Sequence, residues 1–149
     1  MMSAHGEWRR DAAEGRLRVG SIVRFSRTFV PEDVEQFGRL TRDDNPVHSE
    51  LRWCELKGFR APVCHGLLVG SMVCEPGGQW GWLASGMSFR FRKPVYAGDQ
   101  VVITATVKRL RSKMGWLHGV ARVDGKVCAE GTMTFALGPR EDQKVSFTD

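Results

Sequence analysis

A chain of 149 residues, 42% hydrophobic and 26% charged, is long enough for one domain with its own core and too ordinary in composition to be disordered. Its net charge of +5 admits an anionic partner, but the 22 basic residues are scattered rather than gathered on one element, which argues against nucleic acid. Charges from Glu7 to Arg18 exclude a secretory apolar core, and the longest charge-free apolar segment, Gly66 to Cys74, is too short for a bilayer. The expectation is a cytoplasmic protein with no membrane partner. Cys54, Cys64, Cys74 and Cys128 form no C-x-x-C pair and no histidine stands at zinc-ligand spacing, so reduced, mostly buried thiols and no metal site are expected.

Residues 1–15 are polar and aperiodic and read as a flexible N-terminal arm, residues 16–140 as a single domain, and residues 141–149 as a polar tail. Ser21 to Phe29 suggests a strand, with Ile22, Val23, Phe25 and Phe29 set among Arg24 and Arg27. Pro31, Glu32 and Asp33 open a helix whose apolar face is Val34, Phe37 and Leu40. It should stop near Thr41, because Asp43-Asp44-Asn45 are turn formers and Pro46 disfavours helical geometry at Asn45. Leu51 to Leu56 suggests a short helical turn. His65 to Cys74 is apolar on nearly every side, so if helical it must be wrapped by other structure.

Pro76 to Gly86 reads as a linker. The period then changes to two: Met87, Phe89 and Phe91 alternate with Ser88, Arg90 and Arg92. Strands follow at Val101 to Leu110, Trp116 to Val123 and Val127 to Leu137, the last two joined by the tight-turn pair Asp124-Gly125. One strand, a helical region and four strands predict an α+β domain, with a curved antiparallel sheet wrapped around the apolar helix. A second copy would cover or extend the sheet face left exposed.

Two segments can carry chemistry. In Asp43-Asp44-Asn45-Pro46-Val47-His48 a carboxylate and an imidazole flank a stiff turn. Sharing one water, such a pair can make a nucleophile and move a proton at neutral pH. Read alone, the hexapeptide fits a helix stop with a solvated His48 at least as well. In Pro62-Val63-Cys64-His65-Gly66, an N–H at the start of the apolar helix can hold an oxygen on which negative charge develops. Read alone, the segment is better explained by tight packing at Gly66, with His65 a mere flank.

Together these segments resemble the hydratase motif of MaoC-like dehydratases and (R)-specific enoyl-CoA hydratases, F-x-x-L-T/S-x-D-x-N-P-x-H followed by P-x-x-H-G. The chain reads Phe37-Gly38-Arg39-Leu40-Thr41-Arg42-Asp43-Asp44-Asn45-Pro46-Val47-His48, then Pro62-Val63-Cys64-His65-Gly66. The family's aromatic strand running into P-x-x-x-G-D is matched by Phe89 to Asp99. The resemblance implies a hot-dog fold and a catalytic pair of Asp43 and His48, with Asn45 holding the loop and the Gly66 N–H binding a thioester carbonyl. It implies reversible hydration of trans-2-enoyl thioesters to (3R)-hydroxyacyl thioesters. No cofactor is implied; coenzyme A or the phosphopantetheine of an acyl carrier protein enters as part of the substrate. A homodimer or higher homo-oligomer is implied as well.

The chain departs from the family at several places. Arg42 stands where relatives carry Gly, Glu50 where several carry Asp, and Trp53 to Leu56 replace a small-residue stretch near the expected acyl path. Ser71 and Cys74 are candidates for a small substrate-binding residue on the central helix. Arg90, Arg92 and Lys93 can meet coenzyme A phosphates, or simply form a solvated strand face. Trp80 and Trp82 can line an acyl tunnel or pack in the core. Two rivals remain. A thioesterase would need no His48 partner, and a non-catalytic acyl-thioester-binding subunit predicts loss of Asp43 or His48, both of which are present.

Overall fold

The computed structural model describes residues 18–80, 82–111 and 114–136. The expected arm and tail lie outside these residues. Strand β1 (Ile22–Thr28) buries Val23 and Phe25 and exposes the residues between them. Pro31 then takes the first position of α1 (Pro31–Thr41), and the Asp33 carboxylate accepts the Val30 N–H at 3.0 Å. The helix stops where the turn residues predict. Its apolar face is narrower than expected: Val34 is buried and Phe37 packs against the core, but Leu40 is 82% exposed.

A short 3-10 turn (Pro46–His48) leads to α2 (Leu51–Leu56). The apolar segment is helical as expected, and longer than the sequence suggested. Helix α3 (Gly66–Gly70) passes through a 3-10 turn (Ser71–Val73) into α4 (Cys74–Trp80), which occupies the first part of the predicted linker. Pro76, whose residue type favours a turn, is here buried within the helix, the one buried position among the described side chains of α4.

Strands β2 (Leu83–Phe91), β3 (Gln100–Leu110), β4 (Met114–Val123) and β5 (Lys126–Ala136) complete an antiparallel sheet in the order β1-β3-β4-β5-β2. Asp124 and Gly125 both have positive φ, 49° and 74°, as the two-residue β4–β5 turn requires. The sheet's inner face and the central helix share one core, in which Leu68, Val69 and Met72 meet Val101, Ile103, Ala105, Leu117 and Met133. This is the α+β hot-dog arrangement. Wrapping is incomplete in the single chain, for Leu67 is 57% exposed. Among the described residues, no helix is long and apolar enough to cross a membrane.

Contact between helix and sheet depends on two glycines. A Cβ built on Gly66 would lie 2.7 Å from the Phe91 ring, and one on Gly70 would lie 3.1 Å from the Phe89 ring. The two phenylalanines of β2 therefore lie directly against the helix backbone.

Candidate active site

Helix α1 ends in Arg42, a left-handed residue (φ 59°), and the Asp43 N–H bonds back to the Gly38 carbonyl at 3.1 Å. This closing bond turns Asp43 away from the helix axis. Asn45 Oδ1 then accepts the Val47 N–H at 3.1 Å, while the Asn45 N–H reaches Asp43 Oδ1 at 3.3 Å. Asn45 thus holds the loop, and Asp44 is exposed beside it.

His48 is fixed from the opposite side. Its Nδ1–H donates to the Val63 carbonyl at 2.6 Å, which places the neutral ring's lone pair on Nε2. Val63 is itself held, its N–H on the Val47 carbonyl at 3.0 Å and the next N–H, of Cys64, on the Val95 carbonyl at 2.7 Å. The Pro94-to-Asp99 segment supplies that last anchor. Asp99 Oδ2 accepts the Tyr96 N–H at 2.9 Å, and Arg60 pairs with Asp99 at 3.2 Å while lying over the Tyr96 ring. The P-x-x-x-G-D signature therefore acts on the site from a distance, through the backbone that carries His48.

The free Nε2 of His48 faces Asp43 Oδ2 at 3.6 Å. That separation is too long for a direct hydrogen bond, and one water can bridge such a pair. Gly66, the first residue of α3, presents an N–H with no partner inside the helix. The site is open at Asp43, whose side chain is 48% exposed, and closed at His48, at 15%.

His65 was read from the sequence only as a flank of the helix. The structure buries it at 3% exposure and stacks it on His48, centroid to centroid 3.7 Å at 22°. Its sequence signals were its place directly before a charge-free helix and its match to the histidine of P-x-x-H-G. Ligand atoms of Asp43, His48 and His65 all fall within 4.8 Å of one another. Both Nε2 atoms approach the same carboxylate oxygen, at 3.6 and 4.0 Å. His65 Nε2, however, also lies 3.4 Å from the Asp43 carbonyl oxygen, an acceptor that calls for an N–H on that nitrogen and not a lone pair free to ligate.

Beyond Gly66 lies an open, largely apolar cavity, walled by Val69 and Val73 of the helix, Phe89 and Phe91 of β2, and Ile103 and Leu117. The remaining sequence candidates divide. Ser71 spends its hydroxyl on the Leu68 carbonyl at 2.6 Å, and Cys74 is exposed. Neither borders the cavity. Residues Trp53 to Leu56 do not border it either, because they lie on α2 away from the sheet. Arg92 pairs with Glu130, a hydrogen bond that lowers the glutamate's pKa, while Arg90 and Lys93 are exposed. Trp82 stacks on Phe135 at 3.8 Å as a core residue, and the Trp80 side chain lies outside the described residues. Cys54, Cys64 and Cys128 are buried, as expected, and burial pushes the Cys64 thiol up to about 11.

The MaoC like domain is matched over residues 18–129, more than half of the chain. The chain belongs to the MaoC-like dehydratase family. It is 33% identical over 99 residues to the (R)-specific enoyl-CoA hydratase of Aeromonas caviae, covering 64% of this chain and 74% of that protein. The mitochondrial 3-hydroxyacyl-[acyl-carrier-protein] dehydratase of Arabidopsis thaliana is 32% identical over 97 residues, covering 61% of this chain and little more than half, 56%, of the plant protein. Among solved structures, the Aeromonas caviae (R)-hydratase involved in PHA biosynthesis superposes with a TM-score of 0.76 at 29% identity, over 81% of this chain and 97% of that one. As a MaoC-like protein the chain is a hydro-lyase.

Proposed function

We propose that this MaoC-like chain reversibly hydrates trans-2-enoyl thioesters to (3R)-hydroxyacyl thioesters, the acyl group being carried on coenzyme A or on acyl carrier protein. Asp43 and His48 are the acid–base pair and the Gly66 N–H is the oxyanion donor. The observation that carries this reading is the orientation of His48. With Nδ1–H committed to Val63, only Nε2 can act as a base, and it lies 3.6 Å from Asp43 Oδ2, close enough for one water set beside the pair to bond to both.

In the hydration direction, Nε2 takes a proton from the water as the water's oxygen bonds to C3 of the enoyl group. Electron density moves through C2 to the thioester oxygen, where the Gly66 N–H stabilises it, an effect of about 3 kcal/mol for one such donor. The Asp43–His48 pair returns a proton to C2 on the same face, and both side chains finish as they began. The apolar cavity takes the acyl chain. Arg92 is engaged by Glu130, so Arg90 and Lys93 are the basic side chains for the carrier's phosphates.

The test is hydration of crotonyl-CoA, followed by loss of enoyl-thioester absorbance. Asp43→Asn and His48→Gln should each lower the rate by about 100-fold or more with unchanged circular dichroism. Near wild-type turnover in either variant would remove the pair from the mechanism.

A further inference from the structure

The proposed reaction leaves one buried imidazole without a task. His65 is pressed between His48 on one face and α1 on the other, where the Phe37 ring lies 5.1 Å away at 56°. Gly38 borders it: a Cβ there would touch the ring at an ordinary 3.5 Å and crowd the Asp43 carbonyl oxygen at 3.2 Å. Nε2 lies 3.4 Å from the Asp43 carbonyl oxygen. Nδ1 is buried with no hydrogen-bond partner.

These contacts determine the ring's protonation. An imidazolium would bury an N–H at Nδ1 with no acceptor, 3.7 Å above a ring that must itself become cationic during turnover. A neutral ring protonated at Nε2 donates to the Asp43 carbonyl and leaves only a lone pair unpaired, the less costly defect. Burial first, and then the neighbouring His48, hold the His65 pKa below its usual 6.5. Asp43 is a further ionisable group facing it, and α1 meets the ring with the uncharged Phe37 and Gly38.

We propose that His65 is a positioning residue, a permanently neutral ring that sets the plane of His48 by stacking and ties down the Asp43 loop through its Nε2–H. The inference rests on the hydratase reading for its effect on rate, though not for its effect on His48. Because His65 takes no charge, the proton has one path, between Asp43 and His48, and not a second into the core.

Two replacements separate the two tasks. His65→Phe keeps a flat ring and loses the donor; His65→Gln keeps an N–H donor and loses the ring. Each should lower kcat on crotonyl-CoA by about 10- to 100-fold with KM within about twofold, since misplacement by an ångström acts on the transition state. Nitrogen chemical shifts of the imidazoles supply a readout that packing alone would not move. In the wild type at pH 7, His48 should appear as a single Nδ1–H tautomer and His65 as neutral and Nε2-protonated. In His65→Gln, the His48 signal should change to that of a mobile, mixed-tautomer ring.

Acid stability gives a further check. With a lowered folded-state pKa, His65 binds a proton more readily in the unfolded chain. Its contribution to stability is present above pH 6.5 and lost as pH falls below it, so the melting temperature of His65→Phe should depend less on pH there. The proposal is overturned if wild-type His65 titrates like an ordinary histidine, or if either variant keeps both wild-type kcat and a single His48 tautomer. Should the variants fail to fold, the wild-type titration still decides. A wild type that hydrates no enoyl thioester but shows the expected shifts would refute the hydratase reading and leave the positioning role standing.

Discussion

The two walls of the site are built on opposite principles. On the loop side, backbone and side chains are tied to one another: Asn45 holds Val47, Val47 holds Val63 and the Cys54 thiol, and Val63 holds His48. On the β2 side, Leu83, Met87 and Phe91 are 74%, 44% and 49% exposed, and the strand pairs only with β5. Reaction geometry tolerates little error, so it sits where hydrogen bonds fix every dihedral. A wall against an acyl chain needs only shape and apolar surface, and can be completed by packing from outside the chain.

Gly66→Ala joins the two walls and should have the largest effect. The added methyl cannot share space with the Phe91 ring 2.7 Å away, so the half-exposed ring must swing out of the site or the helix start must move. Crotonyl-CoA hydration should fall about 100-fold, and stability by about 1–3 kcal/mol, as overpacking does. Adding Phe91→Ala should recover the stability in thermal melts. A single mutant that melts and turns over like the wild type would show that the contact between the walls is slack.

Next is the assembly that would finish the open wall. A free strand edge flanked by exposed apolar side chains suits a second copy of the chain. The expected solution state is a homodimer, and Met87→Lys should shift the molar mass measured by light scattering toward that of the monomer. If the wild type is monomeric at micromolar concentration, or if the lysine variant stays dimeric, β2 is not the interface.

The contrast also explains what could be read without coordinates. Periodicity placed α1, β1, β3, β4 and β5 to within about two residues, because half-buried strands and an amphipathic helix leave that trace in sequence; β2 begins at Leu83, four residues before its alternation is visible, inside the predicted linker. The pair Asp124-Gly125 named its own turn. Helix α4 was missed because Pro76-Gly77-Gly78 signals a loop locally, while burial against the sheet is a long-range property. At the site, the polar residues of the loop were legible as turn chemistry and as a family motif. His65 was legible as a motif residue but its role was not: that lies in a stack with His48, and sequence separation carries no ring geometry. The exposure of Leu40 was likewise invisible, since helical spacing gives a face but not what covers it.

Arg42 carries that last point to a test small enough to be informative. The resemblance flagged a missing glycine there, and the structure supplies the reason a glycine would suit: φ is 59° and ψ 28°, in the left-handed region. A side chain in that conformation costs about 1 kcal/mol against glycine's freedom. Asp43 is nevertheless aimed correctly, because the Asp43 N–H to Gly38 carbonyl bond closes the helix whatever residue precedes it. Relief of strain should outweigh the greater flexibility of glycine in the unfolded chain. Arg42→Gly is therefore expected to gain about 0.5–1 kcal/mol, a rise of about 2–4 °C in Tm, with kcat within about twofold. Arg42→Ala keeps a Cβ in the same conformation and should gain nothing. If the alanine variant is stabilised as much as the glycine one, the arginine side chain and not the backbone was the burden, and the rigidity credited to the loop would owe less to its helix stop than to the bonds beyond Asn45.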